Sequence, residues 1–226
     1  MSDKALISDA ELELTQKIQM HFPRGVIPAE VLMKWNGCPK DIITAKLTEV
    51  FGQSPMAELL LDPVGTVIIP ATTSRFIACE KFVCDTSRKA EARISYLGDF
   101  FTECFLGDDG KVEEPIGKQT LRYARLKKAS VDDPIITEQG GEAKVETTLT
   151  EMFSLMEKQK DGEAGVLLNN GYANIFYIRD KNGVLRAANV NWNDDGWNVN
   201  ANSVENPNEW NAGNQVFSRN YCLSPA

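Results

Sequence analysis

Residues 189–202 read Asn189-Val190-Asn191-Trp192-Asn193-Asp194-Asp195-Gly196-Trp197-Asn198-Val199-Asn200-Ala201-Asn202. Polar and apolar residues alternate on either side of Asp194-Asp195-Gly196, and a period of two is the repeat of a strand with one face buried. A two-residue turn at Asp195-Gly196 would join the runs, because glycine accepts the positive φ of tight hairpin turns. That turn sets Asp194 opposite Trp197. It pairs Asn193 with Asn198, Asn191 with Asn200 and Asn189 with Asn202 on one side, with Trp192 meeting Val199 beneath. A second hairpin precedes it, turning at Asn182-Gly183, and its register puts Asn174 opposite Asn191 and Tyr172 opposite Asn193. The expected unit is a three-stranded meander with one asparagine-rich, tyrosine-edged face and one apolar face.

Asparagine is concentrated here. Of 16 in the chain, only Asn36 precedes position 169, and 11 lie between Asn189 and Asn220. Asparagine is depleted in strands, so using it six times in succession on one strand face sacrifices propensity where Thr, Lys, Arg or Ser would serve. Such a surface, rich in short donors and acceptors, suits recognition. Beyond it, Ser203 to Asn214 reads as a loop by its Pro, Gly and Asn content, and Gln215-Val216-Phe217-Ser218-Arg219 as a strand returning to the core.

Upstream, Thr66–Ile69, Phe76–Val83, Ala92–Leu97 and Phe100–Leu106 are short apolar stretches separated by turn residues and read as strands, while periodicity over Leu121–Leu126 fits a strand or a short helix, with strand the preferred reading. Val145, Leu149, Met152 and Met156 predict an amphipathic helix over about 144–159 that packs one stripe on the sheet. Ser8-Asp9-Ala10-Glu11 is a capping box for a helix over about 9–20. Pro28 opens a second helix ending at Asn36-Gly37, and Pro39 a third ending at Gly52. The expected fold class is therefore α+β: a short N-terminal helical module at residues 1–56, then a mostly antiparallel β domain with a packed helix at 57–226.

Composition removes several classes of function. With a net charge of -8, the chain lacks the cation surplus of a general nucleic-acid binder. The third helix, which carries Lys40 and Lys46 but also Asp41 and Glu49, suits docking or self-association through residues 1–52 better than a DNA groove. No apolar run reaches the length of a membrane span. The start lacks the pattern of a secretory signal, so synthesis in the cytoplasm is expected, with a phage particle as an alternative destination. Five cysteines, Cys38, Cys79, Cys84, Cys104 and Cys222, have no metal-ligand spacing and read as reduced, mostly buried thiols. The lone His21 reads as structural. No metal and no cofactor is expected. Asp132-Asp133 and Glu113-Glu114 are neighbours in sequence only and read as solvated loop residues. The alternative of catalysis would draw a carboxylate pair from Asp194, Asp195, Glu205 and Glu209.

The segment from Trp192-Asn193 to Arg219, with its Asn-Ala-Asn, Asn-Pro-Asn and Gly-Asn-Gln-Val-Phe-Ser-Arg, resembles the variable region of target proteins of diversity-generating retroelements. In that family an error-prone reverse transcriptase substitutes at adenines and rewrites the end of a gene for a C-type-lectin-like ligand-binding domain. Asparagine codons begin with two adenines. The resemblance implies a C-type-lectin-like fold, a variable region at about 187–220, and diversified positions at Asn189, Asn191, Asn193, Asn198, Asn200, Asn202, Asn206, Asn208, Asn211 and Asn214. It makes Trp192, Trp197, Trp210, Val216, Phe217 and Arg219 the framework. With Tyr172 and Asn174 added from the hairpin register, these asparagines form the expected ligand-binding set, for a variable protein or glycan ligand and without enzymatic activity. The alternative is a fixed-specificity carbohydrate-binding or phage-type structural protein.

Overall fold

In chain order the strands are β1 (Leu61–Ile69), β2 (Phe76–Ile77), β3 (Ile94–Leu97), β4 (Val112–Glu113), β5 (Gln119–Leu126), β6 (Glu146–Thr147), β7 (Asn174–Arg179), β8 (Leu185–Asn193), β9 (Gly196–Ser203) and β10 (Gln215–Arg219). The helices are α1 (Ala78–Lys81), α2 (Asp99–Phe101, continued by a π turn over Thr102–Leu106), α3 (Asp132–Glu138), α4 (Glu142–Val145) and α5 (Leu149–Lys158). They come from a computed structural model that describes residues 59–219. The three expected N-terminal helices, His21, Cys38 and Cys222 lie outside the described residues.

The protein is a mixed α+β structure dominated by one mostly antiparallel sheet, in the order β1-β5-β10-β7-β8-β9-β3, with β6 also beside β7. Neighbours β1/β5, β5/β10, β7/β8 and β8/β9 run antiparallel. The pairs β10/β7, β9/β3 and β6/β7 run parallel. The expected meander is thus present as β7-β8-β9.

Each face of the sheet has its own core. On one, Phe176, Val190, Trp197, Val199, Ala201 and Phe217 pack against Leu149, Met152, Phe153 and Met156 of α5. Trp197 is fully buried and donates its indole N–H to Gln159 O at 3.1 Å. Phe176 and Phe217 stack at 4.4 Å between ring centroids. On the other face, Ile175, Tyr177, Leu185, Ala187 and Val216 pack with Ile135 and Ile136 of α3 and Val145 of α4. The apolar side of the meander does meet the helix predicted for it.

That helix is shorter than its hydrophobic spacing predicts. Thr148 and Glu151 close a reciprocal capping box at the start of α5, so the backbone is extended at Thr148 and the preceding Glu146–Thr147 pairs with β7 instead. Val145 consequently enters the opposite core from Leu149, Met152 and Met156. Glu113, read from sequence as a solvated loop residue, is buried. Its carboxylate accepts from Leu149 N at 3.0 Å, Thr150 N at 2.8 Å and Thr150 Oγ1 at 2.6 Å, satisfying N–H groups that a helix start leaves open and opposing its dipole. Its sequence neighbour Glu114 stays exposed.

Two predicted strands are mainly helical. In the Phe100–Leu106 stretch, the buried residues Phe101, Cys104 and Phe105 are spaced as on a helix and not as on a strand. In Phe76–Val83, only Phe76–Ile77 is strand, and Ala78 and Phe82 are buried one turn apart. Phe76, Phe82, Phe101 and Phe153 meet edge-on at 5.0–6.0 Å, a geometry that favours aromatic clustering. Of the three described cysteines, all free, Cys104 is buried as expected, whereas Cys79 and Cys84 are exposed against that expectation.

Candidate ligand-binding face

Both hairpins form, and in both the turn differs from the expected one. Between β7 and β8, Asp180 accepts from Asn182 N at 2.8 Å and Val184 N at 3.0 Å, and its own N–H reaches Val184 O at 2.8 Å. A loop of Lys181, Asn182 and Gly183, with Gly183 at φ 80°, thereby replaces the two-residue turn. The register moves by one: Asn174 pairs with Val190 and Ile175 with Asn189. A one-residue change sends a side chain to the opposite face, so Asn174 leaves the asparagine face.

Between β8 and β9 the loop is Asp194-Asp195, with Asn193 opposite Gly196, Trp192 opposite Trp197, Asn191 opposite Asn198 and Asn189 opposite Asn200. Gly196 is used for its missing Cβ. A methyl there would lie 2.9 Å from Ser95 N, in the strand β3 that pairs with β9, and 3.0 Å from Arg93 O just before it. Partners move by two residues relative to the expected register, an even step that keeps every side chain on its face. Trp192 and Trp197 meet edge-on at 5.2 Å, replacing the expected contact with Val199. Asn202 pairs with Ala187, on the sheet face that also carries Tyr177.

The resulting face carries Asn189, Asn191, Asn193, Asn198, Asn200 and Asn202 in two facing rows. Asn189 is buried, Asn193 exposed and the other four intermediate, so this face is less solvated than alternation alone implied. Asn198 Oδ1 accepts from Ser95 Oγ at 2.8 Å. Tyr96, 49% exposed, pairs with Asn198 across the parallel β9/β3 contact and adds an aromatic neighbour that sequence reasoning missed. Its strand was legible, but the long-range pairing that brings it here was not.

In the loop after β9, Asn206 is intermediate and accepts from Asn208 N at 3.0 Å, while Asn208 and Asn211 are exposed. Asn214 is buried and its Oδ1 accepts from Ala173 N at 3.0 Å. Asn174 is fully buried, where its Oδ1 accepts from Leu168 N and Gln215 Nε2 and its Nδ2 donates to Leu168 O and Val190 O. Both hold backbone in place. Tyr172 is 43% exposed and lies beside Gly213, where φ is 92° and an added Cβ would come to 3.0 Å from the Tyr172 ring, so glycine suits the position.

Asp132, also read as a solvated loop residue, sits where the asparagine face meets the α3 core and is 1% exposed, whereas Asp133 is exposed. Its Oδ1 accepts from Tyr177 Oη at 2.7 Å and Trp210 Nε1 at 2.8 Å. Burial pushes the Asp132 carboxyl above the ordinary carboxylate range, and those two hydrogen bonds act the other way. Beside it, Asn202, Asn206, Asn208, Glu209 and Trp210 enclose a recess of about 100 Å³. Two larger cavities of about 460 Å³ are present, one next to the recess between Phe100, Asn202, Glu205 and Pro207 and one between Leu61, Pro63, Arg122 and Tyr123, away from the asparagines. Among the described residues no cluster of His, Cys, Asp and Glu is arranged to hold a metal, and no helix is long and apolar enough to cross a membrane.

No family model, no curated protein and no solved structure matches this chain.

Proposed function

We propose that the chain is a ligand-binding protein whose asparagine face and following loop are rewritten by a diversity-generating retroelement, on a C-type-lectin-like scaffold. The observation that carries this reading is a division of labour along β8 and β9. Trp197, Val190, Val199 and Ala201 are buried in the α5 core, while the alternate positions Asn191, Asn193, Asn198, Asn200 and Asn202 keep some or all of their exposure. Residues of the resembling framework are held by the fold: Val216 and Phe217 are buried, Arg219 pairs with Glu151 at 3.2 Å and Trp210 bonds Asp132. Side chains can change on such a face with small effect on stability, whereas the framework cannot change freely. An ordered sheet also loses little conformational freedom on binding, so affinity can come from whichever aromatic or polar side chains replace asparagine.

Within that reading, Asn189 and Asn214 are the two implied positions least free to vary, because both are buried. The test is deep sequencing of the gene's 3′ end in a growing population. Substitutions concentrated at adenines of the Asn191–Asn211 codons, sparing Trp192, Trp197 and Phe217, are expected. Sparse substitutions spread evenly would sink the retroelement reading and leave a fixed-specificity surface to be assayed against sugars, for which exposed Tyr172 is the natural stacking residue.

A further inference from the structure

A carboxylate offers about four acceptor positions over its two oxygens. Asp132 commits Oδ1 to two donors, and no hydrogen bond to its Oδ2 is found among the described residues. Nor does any Lys or Arg among them form an ion pair with it. The side chain is 1% exposed, and Oδ2, which has no donor among the described residues, is not sealed from solvent, so a donor entering beside it can reach it. The side chain lines the recess of about 100 Å³ together with Glu209, Trp210 and three asparagines. Space of that size takes a few waters, at about 30 Å³ each, or one small polar head group.

The lining states which kind. When ionised, Asp132 and Glu209 can only accept hydrogen bonds, and the carboxamide oxygens of Asn202, Asn206 and Asn208 accept as well. Trp210 has committed its N–H to Asp132, so what its indole can still offer is the electron-rich face, which attracts cations. No basic side chain lines the recess among the described residues. The chain as a whole carries a net charge of -8, which favours approach of a positive partner.

We infer that this recess anchors a cationic side chain, a guanidinium or an ammonium, presented by a protein ligand. The inference rests on the ligand-binding reading above and adds a point to it that diversification does not move. Asp132, Tyr177 and Trp210 are not asparagines, so the preference for a positive group is built into the scaffold while its asparagine rim varies. Ligands of different copies then share a basic anchor residue and differ in what surrounds it.

The test follows the Trp210 indole N–H resonance in the ¹⁵N-labelled full chain, assigned with Trp210→Phe, because that proton sits on the Asp132 carboxylate. The probes are N-acetyl-arginine methylamide, the matching citrulline compound as its neutral isostere, and calcium chloride. A saturable shift with the arginine probe, at least about tenfold tighter than with citrulline, is expected. Asp132→Asn abolishes it and the exposed-site variant Glu209→Gln weakens it several-fold, so the outcome stays readable if the buried variant fails to fold. Equal responses to arginine and citrulline, no response to either, a response unchanged in both variants, or a shift produced by calcium alone would overturn the inference. Each of those results leaves the sequencing test of diversification standing, and even substitution in that test leaves the anchor intact on a fixed binder.

Discussion

Asn174 and Asn191 belong to the same residue type and the same meander, yet they do opposite work. Asn174 is fully buried and bonded to Leu168, Val190 and Gln215, whereas Asn191 keeps partial exposure on the outer row. What separates them is the parity of one loop. A three-residue connection at Lys181–Gly183 turns Asn174 inward, and the two-residue connection at Asp194-Asp195 keeps Asn191 and Asn198 outward together. The chemistry of a side chain thus sets what it can do, and the loop decides which of those things it does.

The sharpest break of that comparison comes from the framework beneath the outer row. Trp197→Ala, at a fully buried site, is expected to cost about 3–5 kcal/mol, enough to unfold much of the population in urea titration. Asn174→Ala comes next. It leaves buried partners at Leu168 and Val190 unpaired, at about 1–3 kcal/mol for each orphaned group, and a shift of the urea midpoint by less than 1 kcal/mol would show that Asn174 is not a structural hub. Asn214→Ala, which orphans Ala173 N, is expected to lose about 1–3 kcal/mol by the same measure.

Asp132 supplies a smaller effect with a definite sign. Its folded carboxyl is held above the ordinary range by burial, so the folded state keeps its proton longer than the unfolded chain does. Stability from this group is full below the unfolded value and falls as pH rises through the folded one. Asp132→Asn should therefore gain on the parent as pH is raised from acid toward neutrality, and denaturation at several pH values reads that trend. A variant that instead loses ground on the parent over that range would contradict it. The smallest change is expected on the outer row, where Asn191→Ser or Asn193→Ser should move stability by no more than about 0.5 kcal/mol. Larger losses there would erase the distinction between the two asparagines.

Much of this arrangement is legible locally. Period-two alternation marks β8 and β9 and the apolar stripe marks α5, while the six-residue run Leu121–Leu126 is too short for its periodicity to separate strand from helix. Registers were not legible, because they depend on groups the alternation does not weigh. The Asp180 carboxylate organises a loop around two backbone N–H groups, and Gly196 is required by Ser95 of β3 and the adjoining Arg93 and not by its own turn. The candidate site was legible as a face and a loop. Its buried pole was not: Asp132 looks like one of a solvated pair until Tyr177 and Trp210 reach it from residues far along the chain.

If the end of the gene is rewritten as proposed, every copy must still encode β10. This strand, the last among the described residues, lies between β5 and β7, and so joins the two halves of the sheet. Any copy whose reading frame breaks before codon 215 would lose it and leave two open strand edges in the middle of the fold, which invite aggregation. Folding would then act as a proofreader, and the surface would be shown only by copies read correctly through to their framework.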